Sequence, residues 1–181
     1  RVHLIAEAGT RALTDRAGGG EATAFRAAAL MSDYDSTKHR AAKGAAGPDL
    51  TPWIGAGRDG TTGFVTLDAA GSAVACVMTM NAPFGDGKLD KDLGIFFSPA
   101  VPDGVDGWMR TGTDFMAPVV IANAVTGEFV LGLTATGGPG APIAAVSAAA
   151  IAVLEAQPLR KAVNTARVFA LPNPDTTVYE R

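Results

Sequence analysis

The chain has 181 residues, 48% of them hydrophobic and 18% charged, which is enough apolar material to bury one good core, so a single structural domain is expected. A net charge of −3 and a pI near 5.3 leave no basic footprint for a nucleic acid, which is excluded as a partner. No apolar run reaches the roughly 18 residues that a membrane span requires; the closest, Ala141 to Leu154, is alanine-rich and interrupted by Pro142 and Ser147.

From His3 to Arg16 the apolar residues Leu4, Ile5, Ala8, Ala12 and Leu13 recur at helical spacing, and Gly18-Gly19-Gly20 ends the pattern. A second, alanine-rich helix is predicted over about Glu21 to Met31. The polar stretch from Ser32 to Gly60, with Lys38, His39, Arg40, Lys43 and several Gly and Pro residues, reads as a surface linker. Strand patterns follow. Phe64 to Asp68, a turn at Ala70-Gly71 and Ala73 to Met80 predict one hairpin; Met116 to Asn123 and Glu128 to Thr136 predict a second around Thr126-Gly127. These near-continuous apolar strands imply cover on both faces. Helix Pro142 to Ala156 supplies part of that cover, with Pro142 suited to the first helical position and Pro158 barring continuation. The order of strands and helices gives a layered α+β domain.

Cys76 is the only cysteine, so intrachain disulfides are excluded, and inside Ala73 to Met78 it is expected to be an inert packed thiol. The two histidines, His3 and His39, have no cysteine or acidic partner at ligand spacing. No metal, no other cofactor and no Ser-His-Asp triad are therefore expected.

Chemistry concentrates in Asp59-Gly60-Thr61-Thr62-Gly63-Phe64-Val65-Thr66-Leu67-Asp68, which sets two threonines between a glycine turn and a strand. Cleavage between Gly60 and Thr61 would give Thr61 both a hydroxyl nucleophile and a free α-amine with a pKa of about 8, suited to act as its own general base. Before cleavage, the Thr61 hydroxyl would attack the Gly60 carbonyl and give an ester that water resolves. The plainer reading is that Thr61 and Thr62 are β-formers opening a strand.

Downstream, Thr61-Thr62-x-Phe64-x-x-x-Asp68-x-x-Gly71-x-Ala73-Val74, then Thr79-Met80-Asn81, Phe84-Gly85-x-Gly87 and Gly94-Ile95, resembles the start of the small subunit of gamma-glutamyltransferases, self-cleaving N-terminal nucleophile hydrolases. His3-Leu4-Ile5-Ala6-Glu7-Ala8, closing with Asp15-Arg16, looks like the last long helix region of that family's large subunit. Gly137-Gly138-Pro139-Gly140-Ala141 looks like its oxyanion loop, and Asn164-x-x-Arg167 with Leu171-Pro172 like a late small-subunit segment. The resemblance implies an αββα sandwich, whole or partial, with residues 1–60 a remnant of large-subunit helices plus linker and 61–181 the small-subunit-like sandwich.

It also implies roles. Thr61 is the nucleophile; Thr79 and Asn81, two apart and so on one side of a strand, hydrogen-bond the nucleophile and hold the amino-acid end of the substrate. Taken alone, the pair reads better as a polar face at a strand end. Asp103 falls where relatives pair an aspartate with the substrate α-amino group, although a solvated turn aspartate after Pro102 fits as well. Backbone N–H groups at Gly140 and Ala141, opening a helix, are the oxyanion donors; a plain strand-to-helix turn is the alternative. Three departures weigh against glutathione: Ala100 stands for a polar glutamine, Asp114-Phe115 for paired serines, and the arginine that clamps the substrate carboxylate in relatives belongs to sequence outside this chain.

Two functions follow. One is a divergent gamma-glutamyltransferase-like hydrolase or transferase acting on gamma-glutamyl small molecules or peptides, with glutathione metabolism implied by the resemblance alone. The other is a pseudoenzyme, a structural or binding subunit associating with other chains or with itself. The start at Arg1, without a signal-peptide pattern, and the shortness relative to the family predict a fragment, a reduced relative or one piece of an assembly. A periplasmic or extracellular location is implied by the resemblance only.

Overall fold

Glycine turns fold the apolar strands back on themselves, as their spacing predicts. The computed structural model describes residues 1–17, 24–38, 60–80, 82–99, 115–172 and 175–180. Strands β1 (Thr61–Leu67) and β2 (Ala73–Thr79) pair antiparallel from Thr61 opposite Thr79 to Leu67 opposite Ala73. Their turn is tied by Asp68, whose Oδ1 accepts the N–H groups of Ala70 and Ser72, each at 2.8 Å. Those bonds, the Ser72 N–H foremost, hold the Asp68 carboxyl below its ordinary range. A short hairpin joins β3 (Leu89–Asp90) to β4 (Ile95–Phe96). Strands β5 (Ala117–Ala122) and β6 (Phe129–Ala135) form the other long hairpin, with a bulge at Ile121/Ala122. Strands β7 (Val168–Pro172) and β8 (Asp175–Tyr179) form the last pair. Helices and strands are thus mixed in an α+β fold whose described strands make four two-stranded sheets.

The chain divides into two compact units, residues 1–52 with 164–181, and residues 53–163. In the second unit, helix α3 (Ala141–Ala149) packs on β5–β6, and β6 also meets β1 and β2. Two glycines make that meeting close. A Cβ at Gly63 would come within 2.7 Å of the Thr134 side chain, and one at Gly132 within 2.5 Å of Val65 Cγ1. Small residues do the same under α3, where Ala141, Ala145, Ala148 and Ala149 are buried with Ile143 and Ile151. Pro142 lies in the first turn of α3, as expected. The helix ends differently from the expectation: Ala150–Leu154 is a π-helical turn, and Ala156 at φ 49° lets Gln157 N–H reach back to the Ile151 carbonyl at 3.2 Å before Pro158. Helix α4 (Leu159–Asn164) follows.

Cover on both faces, expected for all the apolar strands, is not found on β1–β2. Alternation sends Gly63 and Val65 toward β6 and sends Phe64, Val74, Cys76 and Met78 the other way. Phe64, Val74 and Met78 there are 45%, 57% and 49% exposed. Cys76 shares this face and is half-buried, not enclosed.

In the first unit, α1 (Val2–Ala17) packs on β7, whose Ala170 and Leu171 are buried. The most buried side chains of α1 are polar. Leu4, expected in its apolar stripe, is exposed, while Glu7 is 2% exposed and Thr10 1%. Glu7 tolerates this because Arg11, one turn on, donates to its Oε1 from Nε at 3.0 Å and Nη2 at 2.8 Å. Arg11 also donates from Nη1 to the Leu30 carbonyl and to Asp33, both at 2.6 Å, tying α1 to the turn after α2 (Ala24–Leu30). At the open end of β7–β8, Arg167 and Glu180 form a forked pair, with Nη2 to Oε1 at 2.7 Å.

Candidate functional site

Strand register brings the first two site residues together. Thr61 opens β1 directly across from Thr79, which closes β2, and both side chains lie on the face shared with Gly63. The Thr61 hydroxyl donates to Thr79 Oγ1 at 2.8 Å in a half-buried setting. Immediately before Thr61, Gly60 has φ 100°, a conformation natural to glycine and costly for L-residues. A Cβ on Gly60 would meet the Ala82 carbonyl oxygen at 2.5 Å. The Gly60 carbonyl accepts the Met80 N–H at 2.8 Å, extending the β1–β2 ladder by one bond.

The glycine-rich turn is a single 3-10 turn, Gly138–Gly140, running into α3. Gly137 at φ 123° and Gly138 at φ 75° set up this turn. Ala141 has φ −59°, and its backbone N–H donates to the Gly138 carbonyl. A backbone donor is present at Ala141, and it already has a partner within the turn. Asn81 and Asp103, together with Ala100 and Asp114, lie outside the described residues.

The loop after β2 is fastened by its own groups. Asp86 accepts the Lys88 N–H at 2.8 Å, the first cause of a carboxyl held below its usual range. Phe84 and Phe96 stand edge to face at 5.7 Å. A shallow cavity of 590 Å³ lies between the turns of the two long hairpins, bordered by Ala70, Gly71, Thr126 and Glu128. It is at the closed end of β1–β2, whereas Thr61 and Thr79 are at the open end. Among the described residues, no group of three or more His, Cys, Asp or Glu is placed to hold a metal. No helix among them is long and apolar enough to cross a membrane.

The Met80 N–H on the Gly60 carbonyl is a contact at this end of the hairpin that side-chain patterns in the sequence do not reveal, because the donor is main chain. The signal that was available is the register: a polar pair across the first rung fixes which amide faces residue 60.

No protein-family model matches this chain, and no curated protein does. Among solved structures it is similar to gamma-glutamyltranspeptidase from Pseudomonas nitroreducens complexed with L-DON, at 24% identity and a TM-score of 0.46, over 59% of this chain and 64% of that one. A highly active mutant of that enzyme is matched at 24% identity and a TM-score of 0.46, over 59% and 63%. The chain spans less than two thirds of the length of either structure. It is similar to gamma-glutamyltranspeptidases over part of their length, and divergent from them.

Proposed function

We propose that this chain is a divergent gamma-glutamyltransferase-like N-terminal nucleophile protein that cleaves itself between Gly60 and Thr61 and then transfers acyl groups through Thr61. The observation that carries the proposal is the Thr61 hydroxyl held on Thr79 Oγ1 at 2.8 Å, one residue after a positive-φ glycine. In the first step Thr61 Oγ1 attacks the Gly60 carbonyl carbon, the C–N bond breaks, and the hydroxyl proton ends on the released α-amine. Water then hydrolyses the ester, leaving a Gly60 carboxylate and a free Thr61 hydroxyl. In turnover the α-amine takes the hydroxyl proton as the acyl group arrives and passes it to the leaving amine; water or an acceptor amine then attacks the Thr61 ester, giving up a proton through the α-amine to the departing Oγ1. Gly140 and Ala141 are the proposed oxyanion donors, with Ala141 exchanging its Gly138 partner for substrate. Asn81 and Asp103 are proposed to hold the α-amino end of a gamma-glutamyl group. The stacking of α3 on β5–β6, and of β6 on β1, supports reading residues 53–163 as part of an αββα sandwich.

Intact mass spectrometry tests this directly. The active protein runs as pieces of 60 and 121 residues, Arg1 to Gly60 and Thr61 to Arg181, while Thr61→Ala stays whole. Wild-type protein that remains whole after prolonged incubation at neutral pH sinks the proposal. A second reading, a non-enzymatic subunit of a larger assembly, is favoured by the open apolar face of Phe64, Val74 and Met78, and that result would support it.

A further inference from the structure

The residue that the chemistry attacks is gripped on two sides by main-chain groups. Met80 N–H sits 2.8 Å from the Gly60 carbonyl oxygen, and the Ala82 carbonyl fills the space a side chain at residue 60 would need. As Thr61 Oγ1 adds to the Gly60 carbon, the C=O pair moves onto that oxygen, which becomes an oxyanion standing outside a five-membered ring made of the Gly60 carbon and Thr61 N, Cα, Cβ and Oγ1. Collapse of the ring returns the pair to the carbonyl, breaks the C–N bond and sends the proton to nitrogen. A donor already 2.8 Å from the oxygen stabilises the charge without rearrangement, the condition under which such a donor is most effective. Resting on the self-cleavage proposed above, we infer that the Met80 backbone N–H is the oxyanion donor of the cleavage step. Gly60 holds this carbonyl with φ 100°, and a Cβ there would meet the Ala82 carbonyl oxygen at 2.5 Å, so a side chain at residue 60 would push the carbonyl out of its place on Met80.

A side chain at residue 80 is irrelevant to this role, so the test alters the main chain. The full-length protein is assembled by ligation at Ala75-Cys76, the chain's own cysteine, with Met80 replaced by its α-hydroxy acid so that an ester oxygen stands in place of the N–H. Cleavage is followed by intact mass beside the all-amide chain. The expected result is a cleavage rate lower by about 100-fold, the effect of removing one oxyanion donor. The same ester at Met78, paired with Thr62 on the same ladder, weakens the hairpin equally and leaves the rate near that of the all-amide chain. Equal rates for the Met80 ester and the all-amide chain overturn the inference and leave self-cleavage standing. An all-amide chain that does not cleave overturns self-cleavage itself, and the donor's role with it. Where the Met80 ester fails to fold, residue 60 decides: Gly60→Ala is slowed, and mirror-image alanine, at ease with positive φ, restores cleavage. Gly60→Ala at the wild-type rate also overturns the inference.

Discussion

The Thr79 side chain accepts the hydrogen bond of Thr61, so its hydroxyl is where a substitution should separate chemistry from structure. Thr79→Val keeps the β-branched shape and removes the acceptor; it should slow self-cleavage by about 100-fold, the lower end of what a positioned proton-transfer partner contributes. Thr79→Ser should restore most of the rate. A Thr79→Val protein that cleaves normally while Thr61→Ala stays whole would remove Thr79 from the mechanism. Elsewhere single residues matter for stability. The hydrogen bonds from Arg167 hold the Glu180 carboxyl below its ordinary value, against an opposing contribution from burial. A depressed folded value means that the pair stabilises the fold above the ordinary Glu range and that this contribution is lost as pH falls through the depressed value. Urea midpoints should therefore be lower for Glu180→Gln than for wild type at pH 7 and should converge at strongly acid pH. Both side chains are partly exposed, so the difference at pH 7 is small and shrinks with added salt. A gap that persists unchanged in acid would mean that charge is not its source.

The close approach of β1 and β6 rests on glycine, and an added methyl tests it. Gly132→Ala places a Cβ against Val65 Cγ1 and should cost about 1–3 kcal/mol in chemical denaturation. Val65→Ala should recover part of that loss when combined with it, since the two positions share one contact. Strict additivity of the two substitutions would show that they do not meet. Ile151→Ala, by contrast, opens a space below the π-helical turn and should cost about 2–5 kcal/mol. The hairpins were legible in the sequence because Gly71 and Gly127 both occupy positive-φ turn positions, φ 91° and 74°, between apolar runs. The pairing of Thr61 with Thr79 was legible only in part, since alternation fixes which side a residue faces and not which partner it faces. What stayed hidden depends on long-range packing. Nothing local marks β1–β2 as covered on one face only, or Glu7 as more buried than Leu4, because burial of Glu7 depends on Arg11 reaching both it and the distant Leu30 carbonyl. The π turn at Ala150–Leu154 has no composition of its own, lying in the same alanine-rich run as α3.

At the scale of the molecule, the open face of β1–β2 sets the strongest expectation about association. Phe64, Val74 and Met78 point away from β6 on adjacent strands and stand about half-exposed, with Cys76 between them. More apolar surface lies on the β3–β4 hairpin and its flanks, where Leu89, Leu93, Ile95 and Phe97 are exposed. Contiguous apolar patches of this kind mark interaction surfaces on soluble proteins, and two-stranded sheets add unpaired edges that favour the same outcome. Light scattering on the purified chain should report an oligomer, a complex or aggregates. Phe64→Thr, Val74→Thr and Met78→Thr together keep strand-forming or compact side chains while making the face polar, and should shift the protein toward monomer without disturbing the Gly63 and Val65 side of the hairpin. The Thr61–Thr79 contact lies on that undisturbed side, so a self-cleaving wild type should pass its cleavage rate to the triple variant. A monodisperse monomer in the wild type would show that this face needs no cover, and the reading of the chain as an assembly subunit would lose its support.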